Sequence, residues 1–318
     1  MELTSDSLDG LLLKLYRTLL DTSGRNEGGS RGPCTEMIGV TLRLSNARAR
    51  LSRSENRGKP FSALGELLWY LSKSDSLEFI EPYVPMYKKD AECGLLPGAY
   101  GPRLFNMRNI DQVQNICDLL TEKPDSKRAV IQLFNAEDLV GSIPEIPCTT
   151  MLQFHLRAGV LQMSVSMRSN DAFWGLPHDV FCFTMIQELI ASYMNAELGE
   201  YIHHAGSMHF YDTFRDSVIS YVDEGHHKLD PMPRMPQGNP FPEVQNVITA
   251  ENKIRNGEWK NANLYCDEPY WADILRMVQA FWSEHDATKI NELLEQLDDS
   301  VYSKYISRRI LVNNQKTN

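Results

Sequence analysis

An α+β fold is predicted for this chain by three observations. Strand-like alternation and helical periodicity are interleaved without the regular β-α-β rhythm of a doubly wound sheet. Two helical segments are apolar on nearly every side, and no glycine-rich phosphate loop opens a helix directly after a strand. The stretch Gly28-Gly29-Ser30-Arg31-Gly32 lacks both the Walker spacing and that setting, which disfavours nucleoside triphosphate and dinucleotide sites. At 318 residues the chain can bury a sizeable core without crosslinks.

Residues 7 to 22 carry apolar residues on a helical period and predict a first helix. Thr22 to Pro33, rich in Gly, Ser and charge, reads as a loop. Ile38, Val40, Leu42 and Leu44 alternate with polar or small residues, as in a half-buried strand. Ser62 to Leu71 is predicted as a buried helix. Its one carboxylate, Glu66, is costly there without partners, so it lies at the helix edge or works in a site. Residues 129 to 134 and 152 to 167 read as strands, the second interrupted by the turn signal Arg157-Ala158-Gly159. From Val180 to Met194 the helical period returns, and Asp179 stands where it could cap that helix. Residues 213 to 223 suggest another helix, whereas 225 to 265, rich in Pro, Gly and polar residues, is expected to wrap the surface. Trp271 to Leu297 reads as helices with charged faces, and no internal repeat or low-complexity tract is visible.

Composition narrows the functional classes. A net charge of -10 disfavours a broad surface for nucleic-acid polymers, although one phosphate in a local basic pocket remains compatible. No apolar run approaches the roughly 18 residues a membrane span needs, and the first residues show no secretory signal, so a cytoplasmic protein is expected. The six cysteines form no Cys-x-x-Cys pair, which argues against a disulfide framework or a zinc site, and no metal is expected.

The chemistry concentrates between Pro147 and Tyr211. Cys148 taken alone is more often a small buried hydrophobe than a nucleophile. A cation such as Arg168 would favour its thiolate if the chain brings the two together. Arg168-Ser169 can hold a phosphate through a guanidinium fork and a hydroxyl, or can simply be solvated. Taken with Asn170-Asp171, Gly175-Leu176-Pro177-His178-Asp179 and His209-x-Tyr211, this order of residues resembles the thymidylate synthase family. The resemblance spans about residues 31 to 215, with the chain read as one catalytic domain over 1–318 that diverges from about 225.

That resemblance implies a mixed sheet packed by helices, one sheet face forming a homodimer interface. It implies Cys148 as nucleophile, Glu66 and Tyr100 as catalytic partners, and Arg168, Ser169, Asp171, His209 and Tyr211 as contacts to the nucleotide. Arg31 matches an N-terminal phosphate arginine, and Lys127-Arg128 matches a pair that reaches the phosphate of the neighbouring subunit. The implied co-substrate is 5,10-methylenetetrahydrofolate, with Glu66 and Asp171 beside it and Tyr87 standing where a folate-contacting Trp is usual. Glu66 would move protons through ordered water, a role that profits from a carboxyl pKa raised by burial. Thr149 follows the nucleophile where many members have His, and Asn170 replaces a frequent Cys.

Asp179 departs most informatively, because thymidylate synthases carry Asn at this position. A carboxamide suits uracil, whereas a carboxyl suits the amino group and N3 of cytosine. Asp179 therefore predicts the family's cytosine branch, in which CMP or dCMP is hydroxymethylated at C5 and water quenches the methylene intermediate. Gly39 to Leu51 and Ala99 to Arg103 also look like bacterial cytidylate hydroxymethylases, and the polar stretch 308 to 318 looks ill-suited to sealing a pocket. The alternatives are methylation of dUMP, a nucleotide- or RNA-binding regulator without turnover, and a cysteine hydrolase, for which no His is visibly placed as base.

Overall fold

The structure, a computed structural model, describes residues 1–29, 31–52, 60–140, 145–297 and 300–307. In chain order its elements are β1 (Glu2–Ser5), α1 (Leu8–Asp21), β2 (Arg25–Asn26), β3 (Cys34–Leu44), α2 (Pro60–Leu71), α3 (Leu77–Ile80), α4 (Tyr100–Phe105) and α5 (Gln112–Glu122). They continue with β4 (Val130–Gln132), β5 (Thr149–Arg157), β6 (Val160–Asp171), α6 (Gly175–Tyr193), β7 (Glu197–Tyr211), α7 (Arg215–Glu224), α8 (Phe241–Arg255), α9 (Pro269–Trp282) and α10 (Ala287–Gln296). The strands form one sheet in the order β1-β3-β7-β6-β5-β4, with β2 paired to the start of β3. β1 runs parallel to β3 and β6 parallel to β7, while the other pairs are antiparallel. The fold is thus α+β with a mixed sheet, as the interleaved periodicities predict.

Local chemistry explains the main elements. Ser7 caps α1 by accepting from the Gly10 N–H at 3.2 Å. β5 and β6 form a hairpin whose two turn residues, Ala158 and Gly159, both take positive φ of 48° and 75°, the handedness that matches strand twist. α6 is buried on every side, including Leu176, Val180, Phe183 and Ile190, because it packs on β6 and β7 on one flank and on α2 on the other. α2 is buried equally fully, which places Glu66 in the interior.

Three expectations need correction, and two elements, β7 and α5, lie where none was expected. Residues 197 to 211 form the longest strand, β7, which its histidines and glycines disguised; His203 is fully buried there, with Nδ1 2.8 Å from the Tyr201 hydroxyl. β3 begins at Cys34, ahead of its alternating apolar run, because its first residues pair with the end of β7. α6 begins at Gly175, so Asp179 lies inside the helix and does not cap it. The 225 to 265 segment holds α8, whose Val244, Val247, Ala250, Glu251 and Ile254 recur at helical spacing and are buried. α5, with Val113, Ile116, Cys117 and Leu120 buried at the same spacing, was also hidden within a mostly polar stretch.

The late helices buttress α2. A side chain on Gly65 would place its Cβ 2.1 Å from Cγ of Tyr83, so α2 and that ring are in direct contact. Tyr83 stacks on Phe281 of α9 at 4.3 Å and donates its hydroxyl to Glu251 of α8 at 2.8 Å. Arg255 closes the cluster by donating to the carbonyls of Glu78 and Phe79 while lying over the rings of Phe79, Tyr83 and Trp282. Packing of this kind fixes the helix that carries Glu66. Among the described residues no helix is long and apolar enough to cross a membrane. The 308 to 318 segment lies outside the described residues.

Candidate active site

Three strand ends converge on the candidate nucleotide contacts. The register pairs Ser169 of β6 with Ser207 of β7, Asp171 with His209, His209 with Glu36 of β3, and Tyr211 with Cys34. Asp171 accepts from the N–H groups of Phe173 and Trp174 at 2.8 and 3.0 Å through Oδ1, which shapes the turn into α6. Its Oδ2 is buried and has no hydrogen-bond partner among the described residues. Such an acceptor suits a donor from a ligand. His209 stands edge-on to Tyr211 at 5.1 Å. Burial pushes its imidazole pKa down, opposed by Asp171 and Glu36.

Cys148 lies in the loop before β5 and is partly exposed. Arg168 fastens this loop: its Nε donates to the Pro147 carbonyl at 3.0 Å and its Nη2 to Ile146 at 2.8 Å, and its backbone N–H donates to the carbonyl of Cys148 at 2.8 Å. Burial pushes the thiol pKa up, and the Arg168 charge only partly offsets it. Arg168 is therefore beside the thiol as expected, but the net shift disfavours the thiolate. Tyr100 opens α4 and accepts from the Thr149 N–H at 3.0 Å, so its hydroxyl oxygen holds the main chain next to the nucleophile. Burial, then the nearby Cys148 and Asp179, push its pKa well up.

Glu66 is surrounded by donors. Its Oε1 accepts from the hydroxyls of Tyr70 at 2.8 Å and Tyr87 at 2.5 Å, and its Oε2 lies 3.0 Å from Nδ1 of His178. Nε2 of the same ring is 2.9 Å from Oγ of Ser62. Burial pushes the Glu66 carboxyl up, yet His178, Tyr87 and Tyr70 outweigh it and the net shift is downward. The expectation of a raised Glu66 pKa is thus reversed, because burial here comes with three partners. Tyr87, assigned to the folate by position, spends its hydroxyl on Glu66 and packs on Trp69 at 5.3 Å.

Asp179 is the buried carboxyl whose pKa rises. Burial first, then the charge of Glu66, push it up to about 8, against a lowering bond from Asn170. Asn170 Nδ2 donates to Asp179 Oδ2 at 2.7 Å, while Asn170 Oδ1 has no hydrogen-bond partner among the described residues. The amide fixes Oδ2 as an acceptor, so the proton of the neutral acid belongs on Oδ1. Gly175 leaves room for this pair, since a Cβ there would sit 3.2 Å from Asn170 Nδ2 and 3.4 Å from Asp179 Oδ2.

The remaining predicted residues divide. Arg31 is half-exposed, 3.6 Å from Asp90, and its charge lowers the pKa of Cys148, which places it at the rim of the cluster. Lys127 and Arg128 are exposed beside the edge strand β4, and the Lys127 carbonyl accepts from Gln153 of β5 at 3.2 Å. Two residues were missed as site members. Glu145, three positions before the nucleophile, is pushed up to about 7 by burial and by the charges of Asp90 and Glu66. His178 was visible in the sequence only as a neighbour of Asp179, because helical spacing alone does not disclose a contact from α6 to α2. The orphaned Asp171 Oδ2 fits the donor groups of a reduced pterin.

A protein-family model described as thymidylate synthase matches residues 14–236. A thymidylate synthase of Coxiella burnetii (strain RSA 493 / Nine Mile phase I) is 30% identical over 171 residues, covering 51% of this chain and 63% of the relative. A thymidylate synthase of Bacillus licheniformis is 32% identical over 166 residues, covering 49% of this chain and 59% of the relative. The chain therefore spans less than two thirds of the length of these relatives. α8, α9 and α10 lie beyond the matched family region.

Proposed function

This chain belongs to the thymidylate synthase family, and on that footing we propose that it hydroxymethylates the cytosine of CMP or dCMP at C5. The observation that carries this reading is Asp179, a buried carboxyl inside α6 that is bonded to a side-chain amide and pushed up to about 8. A neutral carboxyl offers one donor and one acceptor, so if its two oxygens could exchange roles it would match either pyrimidine. The Asn170 bond removes that freedom. Its acceptor then meets the 4-amino group of cytosine and its proton meets N3.

The residues divide the work accordingly. Arg168, Ser169, His209 and Tyr211 hold the phosphate and sugar, with Arg31 at the rim. Cys148 loses its proton to solvent and Sγ bonds to C6, and the displaced electron pair reaches N3, which takes the Asp179 proton. C5 becomes a nucleophile and takes up the one-carbon unit that 5,10-methylenetetrahydrofolate supplies. Glu66 receives the C5 proton through water and Tyr100 keeps the nucleophile loop in place. The proton on Glu66 returns to the departing folate nitrogen as its bond to the one-carbon unit breaks, releasing tetrahydrofolate. Water then adds to the methylene carbon, the Sγ–C6 bond breaks, and N3 returns its proton to Asp179. The sum is nucleotide, methylenetetrahydrofolate and water giving hydroxymethyl nucleotide and tetrahydrofolate. Lys127 and Arg128, exposed beside β4, would reach the phosphate of the neighbouring subunit in a two-fold homodimer.

Methylation of dUMP is the rival outcome within the same family. Purified protein incubated with methylenetetrahydrofolate and, separately, CMP, dCMP or dUMP distinguishes the two by product mass. A hydroxymethyl gain on a cytosine nucleotide is expected; a methyl gain on dUMP accompanied by dihydrofolate would reject the assignment.

A further inference from the structure

Glu66 is held by three side chains, and one of them comes from α6. Tyr70 belongs to the same helix, α2, and Tyr87 approaches from the turn at Pro85–Lys89; both bond Oε1. Oε2 has a different neighbour, Nδ1 of His178 on α6, whose Nε2 is in turn set by Ser62 one helical turn before Glu66. Both ring nitrogens are thus engaged, and the ring is only 12% exposed. Asp179 follows His178 directly, so α6 presents a partner of Glu66 and the candidate base reader on adjacent residues.

We propose that His178 is a positioning residue for proton transfer by Glu66: the imidazole, anchored by Ser62, donates Nδ1–H to Oε2 and fixes the carboxylate that receives the C5 proton. An anionic Glu66 requires Nδ1 to carry a proton, which leaves Nε2 to accept from the Ser62 hydroxyl when the ring is neutral. The donor offsets the burial of Glu66 and keeps its pKa below the usual carboxylate range. The other titratable groups facing Glu66 are Tyr70 and Tyr87 as donors, and Asp179, Cys182 and Glu145, whose own pKa values its charge raises. Of these neighbours, His178 does most to hold the carboxyl down, through its hydrogen bond to Oε2.

The inference rests on the proposed hydroxymethylase reading, in which Glu66 acts at C5. Two polar replacements dissect the ring: Asn places its amide near the Nδ1 position and can still donate to Glu66, whereas Gln places its amide near Nε2 and serves Ser62 alone. The full chain is assayed for tritium release from [5-³H]CMP between pH 5 and 9. Glu66 works as an anion, so removing its donor raises its pKa and adds a second, steeper fall to the acid limb that the Cys148 thiol sets. For H178Q the ratio of the rates at pH 6 and pH 8.5 should drop about tenfold below the wild-type ratio, with KM for CMP within about threefold. H178N should restore the wild-type limb to within about twofold. Equal displacement of the limb in both variants, no displacement in H178Q, or loss of fold in both would overturn the assignment and leave His178 a packing residue. A wild-type protein that releases no tritium from either [5-³H]CMP or [5-³H]dCMP would instead defeat the functional reading. The His178 contact is then judged by ¹³C-carboxyl titration of Glu66, which must move upward in H178Q and stay in place in H178N.

Discussion

Asp179→Asn is expected to reverse base preference, lowering kcat/KM for the cytosine nucleotide by roughly 10²- to 10⁴-fold and raising uracil nucleotide turnover from background. The cause is the hydrogen-bond pattern: a carboxamide can offer NH2 to O4 and its carbonyl to the N3 proton of uracil once the Asn170 amide turns its Oδ1, which has no partner among the described residues, toward that NH2. A substrate panel on the variant reads the reversal, and unchanged selectivity would strip Asp179 of its role. The same substitution has a consequence independent of activity. The folded-state pKa of Asp179, about 8, exceeds the ordinary carboxyl value of 3.8, so the folded protein holds a proton that the unfolded chain releases. Stability from this group is full below about pH 4 and is lost as pH rises toward 8. Asp179→Asn carries no such proton. Its stability should match the wild type near pH 4 and exceed it at pH 8 by on the order of a few kcal/mol, read as a higher Tm at pH 8 only. A pH-independent difference in Tm would contradict a neutral Asp179.

Cys148→Ala should abolish turnover, by about 10⁴-fold or more, while nucleotide binding survives within about tenfold. Binding survives because Arg168, Ser169, His209 and Tyr211 lie on strand ends that Cys148 does not support. Equilibrium titration with CMP beside a turnover assay separates the two quantities. Retained turnover would remove covalent addition from the mechanism and favour a role without chemistry. The pH dependence should be bell-shaped for the intact enzyme: the raised thiol pKa of Cys148 limits the rate on the acid side, and ionisation of Asp179 lowers it as pH rises through about 8.

Much of this site was legible in the sequence because its residues are near one another along the chain. Arg168, Ser169 and Asp171 fall on one strand, and the Ala158-Gly159 turn signal correctly split the hairpin that leads to them. Periodicity also found α2 and α6, since both are apolar all round. It failed on β7, where a fully buried His203 reads as polar and Gly199 and Gly206 interrupt the alternation. It failed on α8 because Pro236 and Pro240 gave the preceding stretch the character of a loop. The electrostatic error on Glu66 had a different origin. Burial alone predicts a raised carboxyl, and the three donors that reverse it come from positions 70, 87 and 178, which no local pattern connects. Asp179 shows the converse. Its position suggested either a helix cap or a base reader, and only the start of α6 at Gly175 and the Asn170 bond remove the first.

The central claim joins a sulfur–carbon bond at C6 to recognition of an amino-bearing base, and one trapping measurement tests both. Fluorine at C5 cannot leave as a cation, so a 5-fluoropyrimidine nucleotide that accepts the thiolate and the one-carbon unit should stall as a covalent adduct. Full-length protein is incubated with methylenetetrahydrofolate and either 5-fluorocytidine or 5-fluorouridine monophosphate, in ribo and deoxy forms, and its intact mass is recorded. The account predicts a mass gain equal to nucleotide plus folate with a fluorocytosine nucleotide, mapping to Cys148, and little or none with the fluorouracil forms. An adduct confined to fluorouracil nucleotides, or one mapped to another residue, would contradict it.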